Sequence, residues 1–432
     1  MSLKIGFAGL SHLGLCSLAG AVRHGFEVVG VHQDGAALQR YRASGELWIS
    51  EPKLKDILSK NSAKIIFDKN LSALSDCDII YISSDVPTDS RGNSDLGGIS
   101  RLLEEVVKSV SPASIIVLLS QVPPGFARAQ MANFKCLYYQ VETLIFGEAI
   151  DRASFPERLI IGCENKENEL NEIFLNYLAA YKCPIIQMDF ESAELAKISI
   201  NLLLTAQVTV SNVLSEVSEK VGADWLDIVP ALRLDRRIGE HAYILPGFGI
   251  TGGNLERDLR SIVNIGQRLK IDVSHVESMI VQSDRRRNWA FDMVSSIVES
   301  CTYEAVKVGV LGVAYKTGTN SVKNSVGFEL IRKLHSIGIE VSWHDPATFN
   351  LDIEPIVEHR SKSVADCVAN ADVLIICTPW DEYMNLDWVQ VACEMRGDVV
   401  IDPFRLVNNS QKSVTHLNWV SMGLSSSVEL RD

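Results

Sequence analysis

The chain opens on a strand that runs directly into a glycine-rich turn, and this pattern limits the folds that it can adopt. Lys4–Gly9 is a short apolar run that ends in glycine, and a helical pattern follows from Leu13 to about His24. The turn Gly9–Gly14 has the spacing G-x-S-x-x-G, one residue away from the dinucleotide-binding fingerprint. A strand, a glycine turn and a helix in this order predict the first unit of a parallel α/β sheet.

A second copy of this pattern lies near the other end of the chain. Residues 306–317 (VKVGVLGVAYKT) resemble residues 4–14 (KIGFAGLSHLG). Residues 371–379 (ADVLIICTP) likewise resemble residues 77–85 (CDIIYISSD). The repetition predicts two related α/β modules, one at each end of the chain.

The middle of the chain has a different pattern. Apolar residues recur at helical spacing from about Ser192 to Glu299. We therefore predict an α/β protein in which two Rossmann-like parallel-sheet modules are joined by a long central helical segment. Further buried strands are predicted at Phe26–Val31, Cys77–Ser83 and Ser114–Leu119. The predicted domains are 1–190, 191–300 and 301–432.

Composition argues against several classes of protein. Asp and Glu number 54 against 41 Lys and Arg, and a net charge of −13 disfavours nucleic-acid binding. Nine scattered cysteines without a C-x-x-C pair favour reduced thiols over disulfides or a metal site. The N-terminus lacks a signal-peptide layout, and no unbroken run of about 18 apolar residues occurs. We expect a cytoplasmic protein with no metal, nucleic acid or membrane as partner.

The glycine turn predicts a site for the pyrophosphate of a dinucleotide. Gly9 makes the tight turn, and Gly14 lets the helix pack closely on the strand. His12 and Leu13 open the helix, whose free amides and positive dipole end face the phosphates. Ser11 replaces the middle glycine. Its Cβ narrows the approach, although its hydroxyl can donate to a phosphate oxygen.

The position that should bind the adenosine ribose is also unusual. An acidic residue is expected at the end of the second strand, about 20 residues beyond the turn, but His32 occupies this position. A histidine cannot accept from both ribose hydroxyls as a carboxylate does. Either Asp34 takes this role, which predicts NAD, or His32 favours a 2′-phosphate, which predicts NADP. The sequence leaves both open.

Motifs along the rest of the chain point to a family. They are Gly45 with Glu51-Pro52-x-Leu54, Asp95-Leu96, Ser120–Gly125, Glu194-Leu195-x-Lys197-x-x-x-Asn201, Gly222-Ala223-Asp224, Asp235-x-Arg237-Ile238-Gly239, Tyr243–Asn254, Arg257-Asp258-Leu259, Leu311-Gly312-x-Ala314-Tyr315-Lys316 and Thr378–Trp388. With these ordered matches, the chain resembles the UDP-glucose/GDP-mannose dehydrogenase family along nearly its whole length.

The resemblance implies an activity and an assembly. Enzymes of this family bind NAD on the N-terminal α/β module and a nucleotide sugar between the N-terminal and C-terminal modules. They form homodimers through the central helix. They oxidise the C6 alcohol of the sugar twice. A cysteine thiolate traps the intermediate aldehyde as a thiohemiacetal, a second hydride leaves, and water hydrolyses the thioester to give the carboxylate.

The resemblance also implies several catalytic residues. Lys197 and Asn201 are four residues apart and share a helix face, where the lysine steadies an alkoxide and the asparagine orients water or the sugar hydroxyl. Glu142 matches the glutamate that activates water, but the second acid of that motif falls on Phe146. Asp258 matches an acid that holds water or Lys197 in place. The alternative is a non-catalytic role as charge partner for Arg257 or Arg260.

Two positions depart from the family's catalytic residues. Asn254 occupies the position of the nucleophilic cysteine, and asparagine cannot form a thiohemiacetal. A shifted alignment does not restore the thiol, because no cysteine lies between Cys183 and Cys301. Gln121, which we predict to bind the cofactor, occupies the position of the family's catalytic-base threonine. We therefore expect the two-step oxidation to be altered.

Substrate-binding positions are better preserved. Arg237 matches the arginine that reaches the substrate phosphates of the partner subunit, and a guanidinium suits a pyrophosphate. Tyr243 and Gly249 belong to a loop that aligns without a gap. Lys316 matches a lysine of the family's C-terminal module near the substrate. Arg405 is a displaced counterpart of the arginine in the family's D-G-R motif, which reads Asp402-Pro403-Phe404-Arg405 here.

The sequence thus predicts an NAD(P)-dependent oxidoreductase that acts on a nucleotide sugar, most simply a UDP-sugar, without the cysteine-dependent second oxidation. One alternative is a full UDP-sugar 6-dehydrogenase that hydrates the aldehyde directly. A second is a binding protein that keeps the fold and has lost catalysis. A hydride returned to the other face of the sugar, giving an epimer, also remains open.

Overall fold

The protein is described from a computed structural model, which covers residues 3–89, 93–251, 253–300, 305–348 and 360–425. It divides into two compact units, an N-terminal unit (Met1–Ile200) and a C-terminal unit (Asn201–Asp432). The two units are described separately below. The predicted three-part domain boundaries stay a prediction.

The N-terminal unit alternates strands and helices, as the sequence predicts. Its strands are β1 (Lys4–Ala8), β2 (Glu27–Val31), β3 (Ile65–Asp68), β4 (Ile79–Ile82), β5 (Ile115–Leu118), β6 (Leu137–Val141), β7 (Leu159–Cys163) and β8 (Ile185–Asp189). Its α-helices are α1 (His12–Arg23), α2 (Gly35–Ser44), α3 (Leu54–Lys60), α4 (Gly97–Ser109), α5 (Phe126–Gln130), α6 (Ala149–Ser154) and α7 (Glu172–Ala179). The predicted strands are present as β1, β2, β4 and β5, each slightly shorter than predicted.

These strands form one sheet in the order β3-β2-β1-β4-β5-β6-β7-β8. All neighbours are parallel except β6 and β7. The strand order reverses direction between β1 and β4. In an open α/β sheet, ligands bind at the carboxyl ends of the strands at this reversal, which places the glycine turn after β1 at the expected site.

The apolar runs of the sequence become strands because both faces of the sheet are covered. In β1, Ile5 and Phe7 pack in one hydrophobic cluster, and Ala8 packs in the cluster on the opposite face. Gly6 leaves room for Leu74, since a Cβ at Gly6 would lie 2.8 Å from the Leu74 Cδ2.

The C-terminal unit combines long helices with a second sheet. The helix α8 (Phe190–Val221) starts in the N-terminal unit and continues into this one, followed by α9 (Trp225–Leu234), α10 (Asn254–Leu269) and α11 (Ser274–Ser300). The remaining elements are β9 (Lys307–Leu311), α12 (Val326–Ser336), β10 (Glu340–His344), α13 (Val364–Val368), β11 (Val373–Ile376), α14 (Asp381–Met384), α15 (Trp388–Glu394), β12 (Val399–Ile401), α16 (Asn409–Lys412) and β13 (Asn418–Val420).

The second sheet has the order β10-β9-β11-β12-β13, and its neighbours are parallel. Its order reverses between β9 and β11, as the first sheet reverses between β1 and β4. The predicted fold class, two Rossmann-like parallel-sheet modules with a central helical segment, is therefore confirmed.

Helix α8 is apolar over much of its length. An 18-residue window of this helix has a mean hydropathy of 1.4, which makes it long and apolar enough, by length and composition, to cross a membrane. A third of this window is buried (33%). Polar residues interrupt its apolar positions, so the helix contains no unbroken apolar run of this length. Core helices satisfy the same criterion, so it does not identify a membrane span.

Candidate active site

The turn after β1 has the backbone geometry that a dinucleotide loop requires. Gly9 has a φ of +87°, and a Cβ there would lie 2.7 Å from the Ser84 Cβ. A Cβ at Gly14 would lie 2.3 Å from the Gly9 carbonyl oxygen. Both positions therefore require glycine. The Ser11 hydroxyl donates to the Ser83 carbonyl oxygen at 2.9 Å, so it has a protein acceptor where the sequence suggests a phosphate.

The amino end of α1 offers free donors to an anion. No capping side chain bonds this end of the helix in the described part of the chain, which leaves the His12 and Leu13 amides for a pyrophosphate. The His12 side chain is engaged elsewhere. Its Nε2 lies 2.8 Å from a Glu51 carboxylate oxygen, and its ring lies 4.1 Å from the Phe146 ring. His12 thus fits the cofactor through its backbone amide.

The end of β2 fits the ribose of NAD. The Oδ1 of Asp34 accepts from the Ala37 and Ala36 amides, at 3.2 and 2.8 Å, and these bonds lower the pKa of Asp34. The carboxylate therefore stays ionised and can accept from ribose hydroxyls. Burial against Trp48, at a ring distance of 4.4 Å, lowers the pKa of His32. A neutral imidazole is a weak partner for a 2′-phosphate, which favours NAD over NADP.

A buried glutamate that the sequence analysis did not propose holds the segment after β5. Gln121 lies in this segment, three residues beyond the strand. Glu194 on α8 is fully buried, and its carboxylate accepts from the Gly125 amide at 2.6 Å and the Ala127 amide at 2.7 Å. Burial raises the pKa of Glu194 to about 7. In the sequence, Glu194 is the first residue of the motif Glu194-Leu195-x-Lys197-x-x-x-Asn201, which alone does not indicate its role.

Glu142 and Lys197 lie together in the N-terminal unit. Burial raises the pKa of Glu142, and the Thr143 amide, which donates to it at 2.9 Å, partly opposes this shift. The Lys197 ammonium donates to the backbone carbonyl of Glu142. A partly buried carboxyl with a raised pKa is suited to general base catalysis, and the lysine adds a positive charge beside it.

Asn201 and Asp258 lie together in the C-terminal unit. Asp258 is fully buried on α10 and accepts from the Asn201 Nδ2 at 2.5 Å and the Arg257 Nε at 3.1 Å. The charge partnership with a neighbouring arginine is therefore present. The bond also orients the Asn201 carboxamide, which is one of the predicted catalytic groups.

Asn254 is the first residue of α10 and is exposed. Lys323 lies beside the preceding residue, since a Cβ at Gly253 would be 2.8 Å from the Lys323 Nζ. A helix amino end and an adjacent ammonium are the surroundings that stabilise a thiolate. The position keeps this environment, but the side chain present is a carboxamide.

None of the described cysteines of the C-terminal unit lies at the position of the missing nucleophile. Cys367 and Cys377 are buried in the second module, and burial raises the pKa of both thiols, that of Cys367 to about 11. Cys393 lies exposed on α15. All described cysteines are free thiols, and no group of three or more His, Cys, Asp or Glu in the described ranges could hold a metal ion.

Three predicted substrate-binding residues carry positive charge. The Arg237 side chain is 89% exposed and pairs with Asp235 at 2.6 Å. The Lys316 ammonium lies 5.8 Å from the Tyr315 ring centroid. The Arg405 Nη1 donates to both oxygens of Asp224, at 2.7 and 2.9 Å. Its Nε and Nη2 are buried and have no partner in the described structure, which leaves two parallel donors of the kind that bind an oxyanion.

The other two predicted substrate residues lie on the irregular loop between α9 and α10. The Tyr243 side chain is half-exposed, and its amide donates to the Gln207 Oε1 at 2.9 Å. Gly249 has a φ of +80°, and a Cβ there would lie 2.8 Å from the Ser283 carbonyl oxygen. Packing against Ser283 therefore requires glycine at this position.

The fold and these groups define a dehydrogenase with a dinucleotide-binding module, a central helical segment and a second Rossmann-like module. Family models identify it further. The NAD binding domain of the UDP-glucose/GDP-mannose dehydrogenase family matches residues 3–178, its central domain matches residues 191–284, and its UDP binding domain matches residues 309–409. The chain belongs to this family.

Individual relatives agree with this assignment. The chain is 24% identical over 410 residues to a putative UDP-glucose 6-dehydrogenase of Bacillus subtilis, covering 93% of this chain and 95% of the relative. It is 24% identical over 438 residues to the UDP-glucose 6-dehydrogenase of Rickettsia conorii, covering 98% of this chain and 99% of the relative. The predicted oxidoreductase class, which acts on CH–OH with NAD, is confirmed.

Solved structures have the same fold. A UDP-glucose dehydrogenase from Pyrobaculum islandicum matches with a TM-score of 0.86 and 23% identity over 98% of both chains. A UDP-N-acetyl-mannosamine dehydrogenase from S. aureus matches with a TM-score of 0.76 and 19% identity over 97% of this chain and 98% of that chain. At these identities the comparison concerns the fold alone. The roles of the site residues stay predictions.

Proposed function

We propose that the protein oxidises a CH–OH group of a UDP-sugar to the carbonyl with NAD and does not perform the cysteine-dependent second oxidation. The observation that carries this proposal is Asn254 at the amino end of α10, beside Lys323. The site keeps the surroundings of a thiolate without a thiol. A carboxamide cannot add to the aldehyde, so no thioester forms.

Residues of the N-terminal unit hold the cofactor and serve the first oxidation. The turn from Gly9 to Gly14 and the open end of α1 bind the pyrophosphate, and Asp34 binds the ribose. NAD, when bound, supplies the hydride acceptor. Glu142 takes up the proton of the sugar hydroxyl, which its raised pKa favours. Lys197 steadies the developing alkoxide.

Residues of the C-terminal unit bind the nucleotide. The family's UDP binding domain and the names of the relatives both support a UDP-sugar. The unpartnered Nε and Nη2 of Arg405 and the ammonium of Lys316 are suited to phosphate oxygens. Asn201, oriented by Asp258, donates to or accepts from the sugar hydroxyl.

We propose in addition that the chain functions as a homodimer. Helix α8 exposes an apolar stripe at intervals of seven, four, three and four residues, formed by Leu203, Val210, Leu214, Val217 and Val221. A long contiguous apolar stripe on a helix surface is typical of an interface. The exposed Arg237 would then reach the substrate phosphates of the partner subunit.

The number of NADH formed per sugar tests the proposal. Purified protein is incubated with NAD and UDP-glucose, and the reduced cofactor is counted against the sugar consumed. We expect one NADH per sugar and an aldehyde that a hydrazine reagent traps. Two NADH per sugar would instead indicate a full 6-dehydrogenase. UDP-glucose that binds without reduction of NAD would indicate a binding protein.

A gain-of-function variant tests the role of Asn254 directly. We expect Asn254→Cys to raise the ratio from one NADH per sugar toward two, because a thiol at a helix amino end beside a lysine has a lowered pKa. Asn254→Ser is the matched control, since it lacks the thiol and should keep a ratio of one. An unchanged ratio in Asn254→Cys, with the new thiol confirmed by labelling, would contradict the proposal.

A further inference from the structure

The loop Tyr243–Thr251 has no regular secondary structure, so its own hydrogen bonds do not fix its shape. Polar side chains of two helices hold its backbone instead. From α8, the Asn212 Oδ1 accepts from the Gly247 amide at 2.8 Å. From α11, the Ser283 Oγ accepts from the Ile250 amide at 2.7 Å. Buried backbone groups need such partners.

Arg286 on α11 makes the central contact of this set. Its side chain is 2% exposed, and its Nε donates to the Gly247 carbonyl oxygen at 3.0 Å. Its Nη1 donates to the Glu216 Oε1 on α8 at 2.8 Å. Its guanidinium also lies 5.5 Å from the Trp289 ring centroid. One cation thus joins the loop to both helices.

The two sides of Gly247 are therefore fixed by different helices. Its amide is held from α8 by Asn212, and its carbonyl is held from α11 by Arg286. Two residues further on, Gly249 packs directly on Ser283. A shift of either helix would move the loop with it, because these hydrogen bonds and this packing contact are all short.

We propose that Arg286, paired with Glu216, is a positioning residue that sets the shape of the loop Tyr243–Thr251 for the nucleotide sugar. It is buried behind the loop and acts through Gly247, without touching the substrate. The inference rests on the proposed function, which gives this loop its substrate. It adds a residue that no motif of the sequence singles out.

The neighbouring arginine provides a matched control. Arg285 also pairs with Glu216, but its side chain is 59% exposed and makes no hydrogen bond to the loop in the described structure. Arg285→Met and Arg286→Met therefore remove the same charge from the same carboxylate. They differ in whether the Gly247 carbonyl loses its donor.

Hydrogen exchange of the peptide that contains Gly247 and Ile250 tests the positioning without any turnover. We expect Arg286→Met to speed exchange of these amides about tenfold or more, because a hydrogen bond from a charged group is lost. Arg285→Met should leave them unchanged, and Arg286→Lys should give an intermediate rate. Equal protection in wild type and Arg286→Met would overturn the proposal, as would a uniform loss of protection throughout the C-terminal unit.

Binding of UDP-glucose by calorimetry then separates this inference from the proposed function. We expect Arg286→Met to weaken UDP-glucose binding about tenfold while the Kd for NAD changes less than twofold. If wild type does not bind UDP-glucose, the proposed function fails. If wild type and Arg286→Met bind it equally well, the positioning role fails. Should Arg286→Met not fold, Arg286→Lys carries both measurements, and wild-type behaviour of that variant would overturn the proposal.

Discussion

Glu194 has an unusual environment for a single carboxylate in this protein. It is buried, it accepts from two loop amides, and burial raises its pKa from 4.5 to about 7. A carboxyl group whose pKa is raised on folding binds its proton more tightly in the folded chain. Its contribution to stability is therefore greatest below pH 4.5 and falls as the pH rises to 7.

We expect Glu194→Gln to remove this dependence. Between pH 4.5 and 7, wild type should lose about 3 kcal/mol of unfolding free energy relative to the variant. Urea titrations at several pH values measure the difference. Glu191→Gln is the control, because pairing with Arg128 lowers the pKa of Glu191. The contribution of Glu191 to the unfolding free energy therefore rises with pH, opposite to that of Glu194. A difference between wild type and Glu194→Gln that does not vary with pH would contradict the prediction.

Individual residues were predictable where a motif fixes their role. The match to the family motif on α8 predicts a role for Lys197 and Asn201, which their spacing alone does not, and the glycine turn predicts a role for Gly9. The roles of Glu194, which the sequence shows only as part of a motif, and of Arg286 were not predictable, because both depend on burial. Arg286 belongs to three consecutive arginines, which in a sequence resemble an exposed charged run. Only the packing of α11 shows that the middle one points inward.

At the scale of elements, the two modules share a contact that the sequence repeat only suggests. In the first module, a Cβ at Gly14 would lie 2.3 Å from the Gly9 carbonyl oxygen. In the second, a Cβ at Gly327 would lie 2.2 Å from the Gly312 carbonyl oxygen. Both modules thus pack a helix on their first strand through a glycine, although the second has a longer connection.

The residue after the second strand of each module differs, and this difference decides what the glycine turn binds. In the first module it is His32, and the loop amides stay available to the cofactor. In the second it is Asp345, which is buried. Its Oδ2 accepts from the Val313 and Ala314 amides at 2.7 and 2.8 Å. An internal carboxylate therefore accepts from the turn amides of the second sheet, where a phosphate would otherwise bind.

We expect Asp345→Asn to destabilise the protein by about 2–4 kcal/mol. The new amide nitrogen, if it replaces Oδ2, faces two backbone donors, and each buried unpaired donor costs about 1–3 kcal/mol. Thermal unfolding measures the change. The control is Asp366→Asn, an exposed acid on α13, which should alter stability by less than about 0.5 kcal/mol. Equal melting temperatures for the two variants would argue against the anchoring role of Asp345.

The elements themselves were largely predictable, and their arrangement only in part. Apolar runs followed by helical patterns predict the strands, because strands buried on both faces must be apolar. The antiparallel pairing of β6 with β7 has no such signal. Nor does the loop Tyr243–Thr251, whose shape comes from side chains on two helices that lie far from it in sequence.

At the scale of the whole molecule, the apolar stripe on α8 is exposed to solvent in the single chain. Leu203 is 67% exposed and Val221 is 70% exposed, and the stripe continues through Val210 and Val217 between them. Large aliphatic side chains in such a row cost free energy in water. A second copy of the same helix would bury them, since an interface about a two-fold axis pairs a surface with itself.

We expect wild type to have twice the 47.7 kDa mass of one chain in light scattering, without detergent. The double variant Leu203→Glu/Val210→Glu should have the mass of one chain, because it places like charges in the interface. It should also lose turnover, since Arg237 would no longer reach the partner's substrate. Leu175→Glu is the control, an exposed apolar residue on α7, and should stay dimeric and active.

The two effects of the double variant separate assembly from catalysis. If the monomer forms and turnover persists at the wild-type rate, each chain completes its own site, and Arg237 has no role across the interface. If wild type is itself monomeric, the α8 stripe has another partner. A requirement for detergent would identify that partner as lipid, which the hydropathy of α8 alone does not decide. The single variant Arg237→Ala tests Arg237 separately from assembly. If this variant keeps the mass of a dimer and loses UDP-glucose binding, Arg237 acts in the substrate site and not through dimer formation.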